Sequence, residues 1–240
     1  MTDVKSSESL SRRAILLGGV SVAALTLAGC SRRETQGRRP KLRVMERIAK
    51  RRAKRRNTSD YALLYGPKPN ERFPLPAVNL KQVNSKFYRR EVQNRTGYPA
   101  GTVVVDTKNF YLYWTQPDGT AMRYGVGLGR AGFSWNGTGK IQWKQKWPKW
   151  TPPAEMIERD PSLEKWSAEN GGQPPGLRNP LGARALYIFQ NGEDTLYRLH
   201  GTPEAFSIGK AVSSGCVRLL NQDVIDLYDR IPNGSPIVVV

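Results

Sequence analysis

The chain carries one histidine, His200, and two cysteines, Cys30 and Cys216. A thiol with an ordinary pKa of about 8.5 is mostly protonated near neutral pH, so a cysteine nucleophile needs a base or a cationic neighbour. His200 stands in Leu199-His200-Gly201-Thr202, and Cys216 follows in Val212-Ser213-Ser214-Gly215-Cys216-Val217-Arg218-Leu219. Together these residue types can perform acyl transfer, with thiolate attacking a carbonyl and imidazole carrying the proton. Gly215, directly before the thiol, lets the backbone turn sharply and aim amides at a carbonyl oxygen, as an oxyanion site requires. The same residues also admit a plain structural reading, a small buried hydrophobe and a packed imidazole. Zinc fits poorly, because one His and one Cys fall short of its three or four ligands. No P-loop or dinucleotide fingerprint occurs, so no cofactor is expected.

Positioning these groups falls to the chain beyond Gly101. Thr102–Asp106 and Phe110–Trp114 are rich in β-branched and aromatic residues, with a turn at Lys108-Asn109 and another at Gln116–Gly119. Met122–Leu128 predicts a strand broken by glycines, and Ile141–Trp147 alternates as a half-buried strand does. Ala185–Gln190 and Thr195–Leu199 predict a hairpin about Asn191-Gly192. Asn221–Ile231 is the one clear helix, with Val224, Ile225, Leu227 and Tyr228 as its apolar face and Asn221 as its cap. Pro236–Val240 closes as a buried strand. The expected fold class is mainly β with few helices.

The segments His-Gly-Thr (200–202) and Ser-x-Gly-Cys-Val-Arg-Leu (213–219) resemble the signature of the L,D-transpeptidase (YkuD-type) catalytic domain. Asn179–Leu186 and Trp150-Thr151-Pro152-Pro153 resemble further stretches of that family, in the same order. The likeness covers about Gly101 to Val240. It implies a YkuD-like β-sandwich in which Cys216 is acylated and His200 is the base. It also implies that Gly215 and Cys216 amides form the oxyanion site, and that Ser213, Ser214, Gly201 and Thr202 flank it. Arg218 then meets a substrate carboxylate or a structural partner. One position departs: the family usually has His where this chain has Ser214, which puts that histidine's roles in doubt while a hydroxyl donor is kept. The implied donor is a peptidoglycan stem tetrapeptide, cleaved before its terminal D-Ala and passed to an amine, giving a 3-3 cross-link or anchoring an envelope protein. Water as acceptor makes an L,D-carboxypeptidase or amidase, and a silent wall-binding lipoprotein is the reading from another class.

The N-terminus reads as an address. Paired Arg12-Arg13 precede an apolar run of 14 residues, Ala14–Leu27, short of the roughly 20 that span a bilayer. The pair resembles a twin-arginine export signal, and Leu27-Ala28-Gly29-Cys30 resembles a lipobox, with Cys30 the lipidated residue and a lipid anchor in the membrane as the consequence. Residues 31–100 are expected to be a basic tether and Pro-rich linker before the 101–240 catalytic domain. Lys81–Asn94 is expected to form an extended arm or short helix. From Ser31 to Arg56 there are 13 Lys and Arg against Glu34 and Glu46, in a chain of net charge +18. Such a run suits polyanions; export turns the expected partner from nucleic acid toward anionic envelope polymers, and places the protein in the periplasm or cell envelope. If lipid takes Cys30, Cys216 is the one thiol left in an oxidising compartment. Phe133–Trp150, with Trp135, Trp143, Trp147 and Trp150, reads as ordinary sheet-face aromatics or as a lid and groove wall over the site.

Overall fold

The computed structural model describes residues 60–129, 137–213 and 215–240. The chain divides into two compact units, 1–48 and 49–240, and only residues of the second are described. The segment expected to be a signal, Cys30, the basic run, Phe133, Trp135 and Ser214 therefore lie outside the described residues.

Eleven strands are described: β1 (Arg90–Gln93), β2 (Val103–Asp106), β3 (Tyr111–Thr115), β4 (Thr120–Gly125), β5 (Leu128–Gly129), β6 (Gly137–Lys146), β7 (Arg184–Gln190), β8 (Glu193–Thr202), β9 (Ala211–Ser213), β10 (Val217–Leu220) and β11 (Ser235–Val239). Nine form one sheet in the order β1-β4-β3-β2-β11-β6-β7-β8-β10, and β5 pairs with β9. The mainly β expectation holds. The hairpin at Asn191-Gly192 holds as well: both residues have positive φ (53° and 85°), the conformation that a two-residue turn matching strand twist demands.

The long sheet buries one main apolar cluster. Leu112 and Tyr124 from one end and Leu199 and Leu219 from the other share one apolar cluster with Val103, Leu186 and Ile237. Val224 and Leu227 of the Asn221–Arg230 helix, and Ile231 just after it, join it. Gly127, after β4, exchanges both backbone hydrogen bonds with Arg218 of β10 (2.9 and 2.8 Å), so the far edge strand is not left open.

Residues 60–100 depart from the expected linker. Tyr65, Val83 and Phe87 form a second buried cluster with Ile208 and Leu220. Two 3-10 turns, Leu80–Gln82 and Ser85–Phe87, lead into β1, which pairs with β4. Proline punctuation marked breaks in local structure, and long-range burial packed the pieces onto the domain. Asn221 also departs from its expected part. It does not cap its helix; its Oδ1 accepts from Ala183 N–H (2.9 Å) and its Nδ2 donates to the Thr202 carbonyl (3.2 Å). Two buried backbone groups outside the helix would otherwise lack these partners.

Candidate active site

Strands β8 and β10 pair in parallel, with Val217 opposite Leu199 and Arg218 opposite His200. Leu199, Val217 and Leu219 point into the core, so alternation turns His200 and Arg218 to the outer face. Cys216, two residues before Arg218, falls on that face beside Arg198. Cys216 thus stands just before β10, and Arg198 and Arg218 are charged neighbours of both its thiol and the His200 imidazole.

Just before the thiol, Gly215 has φ +140°, a conformation side chains rarely adopt. A Cβ there would meet nothing closer than a Tyr197 ring carbon at 3.7 Å, so conformation, not space, selects glycine. Cys216 Sγ lies 4.0 Å from the Leu196 carbonyl. Leu196 has φ +62° and sits where the β7–β8 register slips, a bulge that aims its carbonyl toward the sulfur.

His200 is buried, and its Nδ1 is 2.6 Å from the Gly201 carbonyl. A carbonyl only accepts, so Nδ1 carries the hydrogen and Nε2 keeps its lone pair for a proton. Burial lowers the His200 pKa to about 4; the Gly201 and Pro180 carbonyls oppose the shift, and the Arg218 and Arg198 charges add to it. Burial pushes the Cys216 thiol above its ordinary value, partly countered by the Arg198 backbone N–H and by the Arg198 and Arg218 charges. Although Cys216 keeps a partly exposed surface, its titration follows this packed side. The resting site at neutral pH is a thiol beside a neutral imidazole.

The loop before β7 covers His200. Asn179 Nδ2 donates to the Pro148, Gln173 and Pro174 carbonyls, and its Oδ1 accepts from Leu181 N–H. That network holds the Asn179-Pro180 turn, and with it the Pro180 carbonyl, against the imidazole. Arg218 pairs with Glu204 (2.7 Å). Thr202 Oγ1 accepts from Glu204 N–H (3.1 Å), so its hydroxyl serves the turn after β8. Gly201 acts through its carbonyl. Ser213 lies on β9. Arg198 carried no expectation, although strand alternation puts residues 198 and 200 on one face.

The aromatic stretch divides. Trp147 is buried and donates from Nε1 to Glu71 (2.9 Å), whereas Trp143 is exposed on the outer face. A cleft of about 630 Å³ lies away from Cys216, lined by Gln93, Arg95, Asp106, Tyr113 and Arg123 among others.

Gly201 approaches the helix closely. A Cβ there would collide with Asn221 Oδ1 and press on Ala183 N and Val224 Cγ1, both at 3.1 Å. Gly201→Ala is expected to cost about 2 kcal/mol and to slow any Cys216 acylation by displacing the His200 partner. Urea unfolding within about 0.5 kcal/mol of wild type would show that the contact yields easily.

Two buried groups oppose each other in pH. His200 titrates near 4 in the fold and near 6.5 unfolded, so the unfolded chain binds more protons between these values and stability rises with pH there. Burial raises Asp223 to about 7, only partly countered by Arg89 and the Tyr65 hydroxyl. The folded chain then binds more protons between about 4 and 7, and this contribution falls as pH rises. Asp223→Asn is therefore expected to leave stability climbing between pH 4 and 6.5, and His200→Gln to leave it falling. Thermal melts across that range check both signs; unchanged slopes in either variant would remove that residue from the account.

Residues 100–239 match the family model described as the L,D-transpeptidase catalytic domain, YkuD. The chain belongs to this family. The L,D-transpeptidase likeness extends to curated relatives: it is 34% identical over 145 residues to the "Probable L,D-transpeptidase ErfK/SrfK" of Escherichia coli, covering 58% of this chain and 43% of that one. It is 36% identical over 138 residues to the "Probable L,D-transpeptidase YbiS" of the same organism, covering 56% and 42%. The chain thus spans less than half the length of these relatives. Among solved structures it is 42% identical to a "Probable carnitine operon oxidoreductase caia" from Brucella melitensis, covering 68% of this chain and 99% of that one at a TM-score of 0.46. That score is too low for the likeness to bear on activity.

Proposed function

We propose that the chain is a peptidoglycan L,D-transpeptidase in which Cys216 is the nucleophile and His200 the base. The observation that supports this best is that His200 on β8 and Cys216 just before β10 share Arg198 and Arg218 as charged neighbours, with His200 Nδ1 committed to the Gly201 carbonyl. His200 Nε2 takes the thiol proton as sulfur attacks the carbonyl before the terminal D-Ala of a stem tetrapeptide. The Gly215 and Cys216 amides face the resulting oxyanion. Collapse breaks the C–N bond, and the D-Ala amine leaves with the proton from His200. An acceptor amine then attacks the thioester, loses its proton to His200, and expels the thiolate, which regains it. A diaminopimelate side chain gives a 3-3 cross-link; an envelope protein amine gives anchoring.

The Ala14–Leu27 run and Cys30 support export to the periplasm or cell envelope, with a lipid anchor at Cys30, and the basic run suits anionic envelope polymers. Among the described residues no helix is long and apolar enough to cross a membrane.

Incubation of the full chain with a carbapenem, an acyl-donor mimic, is expected to add one drug mass, and Cys216→Ala to add none. Digestion of a stem-tetrapeptide donor then distinguishes a cross-linked dimer from a shortened tripeptide, the mark of water as acceptor. A well-folded chain that gains no mass would leave the silent wall-binding reading in its place.

A further inference from the structure

The outer face of the sheet continues away from Cys216 as a row of rings. Trp143 of β6 is register partner to Tyr187 of β7, and Tyr187 to Arg198 of β8. Arg198 in turn neighbours Cys216, the residue just before β10. The Trp143 and Tyr187 rings stack with centroids 3.5 Å apart and planes within 9°. The Arg198 guanidinium lies 4.4 Å from the Tyr187 centroid. Each piece is held in place: the Tyr187 hydroxyl donates to Gln145 Oε1 (3.2 Å), and Asp194 grips Arg198 through both nitrogens (2.6 and 2.7 Å). Trp143 reaches this face because the β6–β7 register shifts between Ile141, which points inward, and Trp143.

Packing alone does not account for the end of this row. Trp143 is 39% exposed although one face of its indole rests on Tyr187, so the opposite face and edge meet solvent. A preorganised, flat, polarised ring beside amide and guanidinium donors is suited to the apolar C–H face of a pyranose, whose hydroxyls reach the polar rim. The spacing fits the same ligand. Three inter-strand steps put Trp143 roughly 14 Å from the Cys216 strand position. Three extended residues, the part of a stem peptide between its attacked carbonyl and its attachment point, span about 10 Å, and the lactyl bridge to the sugar supplies the rest.

We propose that Trp143, stacked on Tyr187, is a glycan subsite that holds the muramyl sugar bearing the donor stem peptide while Cys216 attacks that peptide. This rests on the transpeptidase reading for the identity of the donor, and extends it from the peptide to the sugar. The platform makes the enzyme prefer a glycan-bearing donor to a free peptide.

The full chain, Trp143→Ala and Trp143→Phe are compared on two donors: N-acetylglucosaminyl-N-acetylmuramyl tetrapeptide and the same tetrapeptide without sugars. The ratio of kcat/KM, glycan-bearing over sugar-free, is expected to fall about tenfold in Trp143→Ala and to be largely kept in Trp143→Phe. Both donors are read on one preparation, so misfolded protein cancels in the ratio. An unchanged ratio in Trp143→Ala overturns the subsite. If the wild type turns over neither donor, the transpeptidase reading fails, and the disaccharide titrated into the wild-type chain by NMR decides the subsite alone. Shifts lost in Trp143→Ala then support it; shifts equal in both, or absent from the wild type, overturn it.

Discussion

Replacement of His200 by Ala is expected to slow acylation of Cys216 by a carbapenem about a thousandfold at pH 7. Burial holds the Cys216 thiol above its ordinary pKa and keeps His200 neutral above about 4. Little thiolate therefore exists before the substrate arrives, and proton transfer to Nε2 must accompany attack. Without the imidazole only the pre-ionised fraction reacts, stabilised by the Arg198 backbone N–H and the Arg198 and Arg218 charges among others. The wild-type rate should rise as His200 loses its proton near pH 4 and then level off. The His200→Ala rate should keep climbing past pH 8.5 as thiolate forms, and the two should converge in alkali. Rapid-mixing kinetics across that range measure both curves. Equal rates at pH 7 would remove His200 as the base. A wild-type rate that persists below pH 4 would mean the site rests as a thiolate–imidazolium pair.

The largest stability effect is expected from Arg89→Met. The Arg89 side chain, 7% exposed, lies 3.0 Å from Asp226 Oδ2 and 3.8 Å from Asp223 Oδ1. Its backbone N–H donates to the Tyr65 hydroxyl (2.6 Å), which in turn donates to Asp223 Oδ2 (3.2 Å). Tyr124 donates to Asp226 Oδ2 (2.6 Å). Removing the guanidinium leaves the fully buried Asp223, whose pKa burial already raises to about 7, without its cation, while Asp226 keeps Arg230 (2.8 Å). Breaking a buried pair from one side costs about 3–5 kcal/mol, or a melting temperature roughly 10 °C lower at this size. Adding Asp223→Asn should recover part of the loss, because the amide needs no cation and can still accept from Tyr65. A loss under about 1 kcal/mol in the single variant would show that water reaches the pair. The network joins residues 60–100 to the 221–230 helix, whose Asn221 braces Ala183 and Thr202 beside the site, so the loss should also slow acylation.

What could be read from the residues was local. The chain offers one histidine and two cysteines, of which Cys216 alone lies near it in sequence, and β-branched runs, Asn191-Gly192 and the apolar spacing of Val224, Leu227 and Tyr228 each specify their element through neighbours a few positions away. Gly215 belongs with these, since its positive φ is a local demand. Tertiary structure decided whatever depended on partners distant in sequence. Strand alternation groups Arg198 with His200 but does not say which face becomes core; the pairing of β8 with β10 and the clustering of Leu199, Val217 and Leu219 decided that. Trp143 and Trp147 look alike in sequence, yet the β6–β7 register shift sends one to the outer face while Glu71, 76 residues earlier, receives the other. Asn221 looked like a cap because its type suits a helix start; Ala183 and Thr202, brought near by the sheet, had stronger need of its amide. Residues 60–100 looked like a linker because prolines interrupt them. Burial of Tyr65 and Phe87 against Leu220 is a contact across more than 130 residues, and no local pattern encodes it.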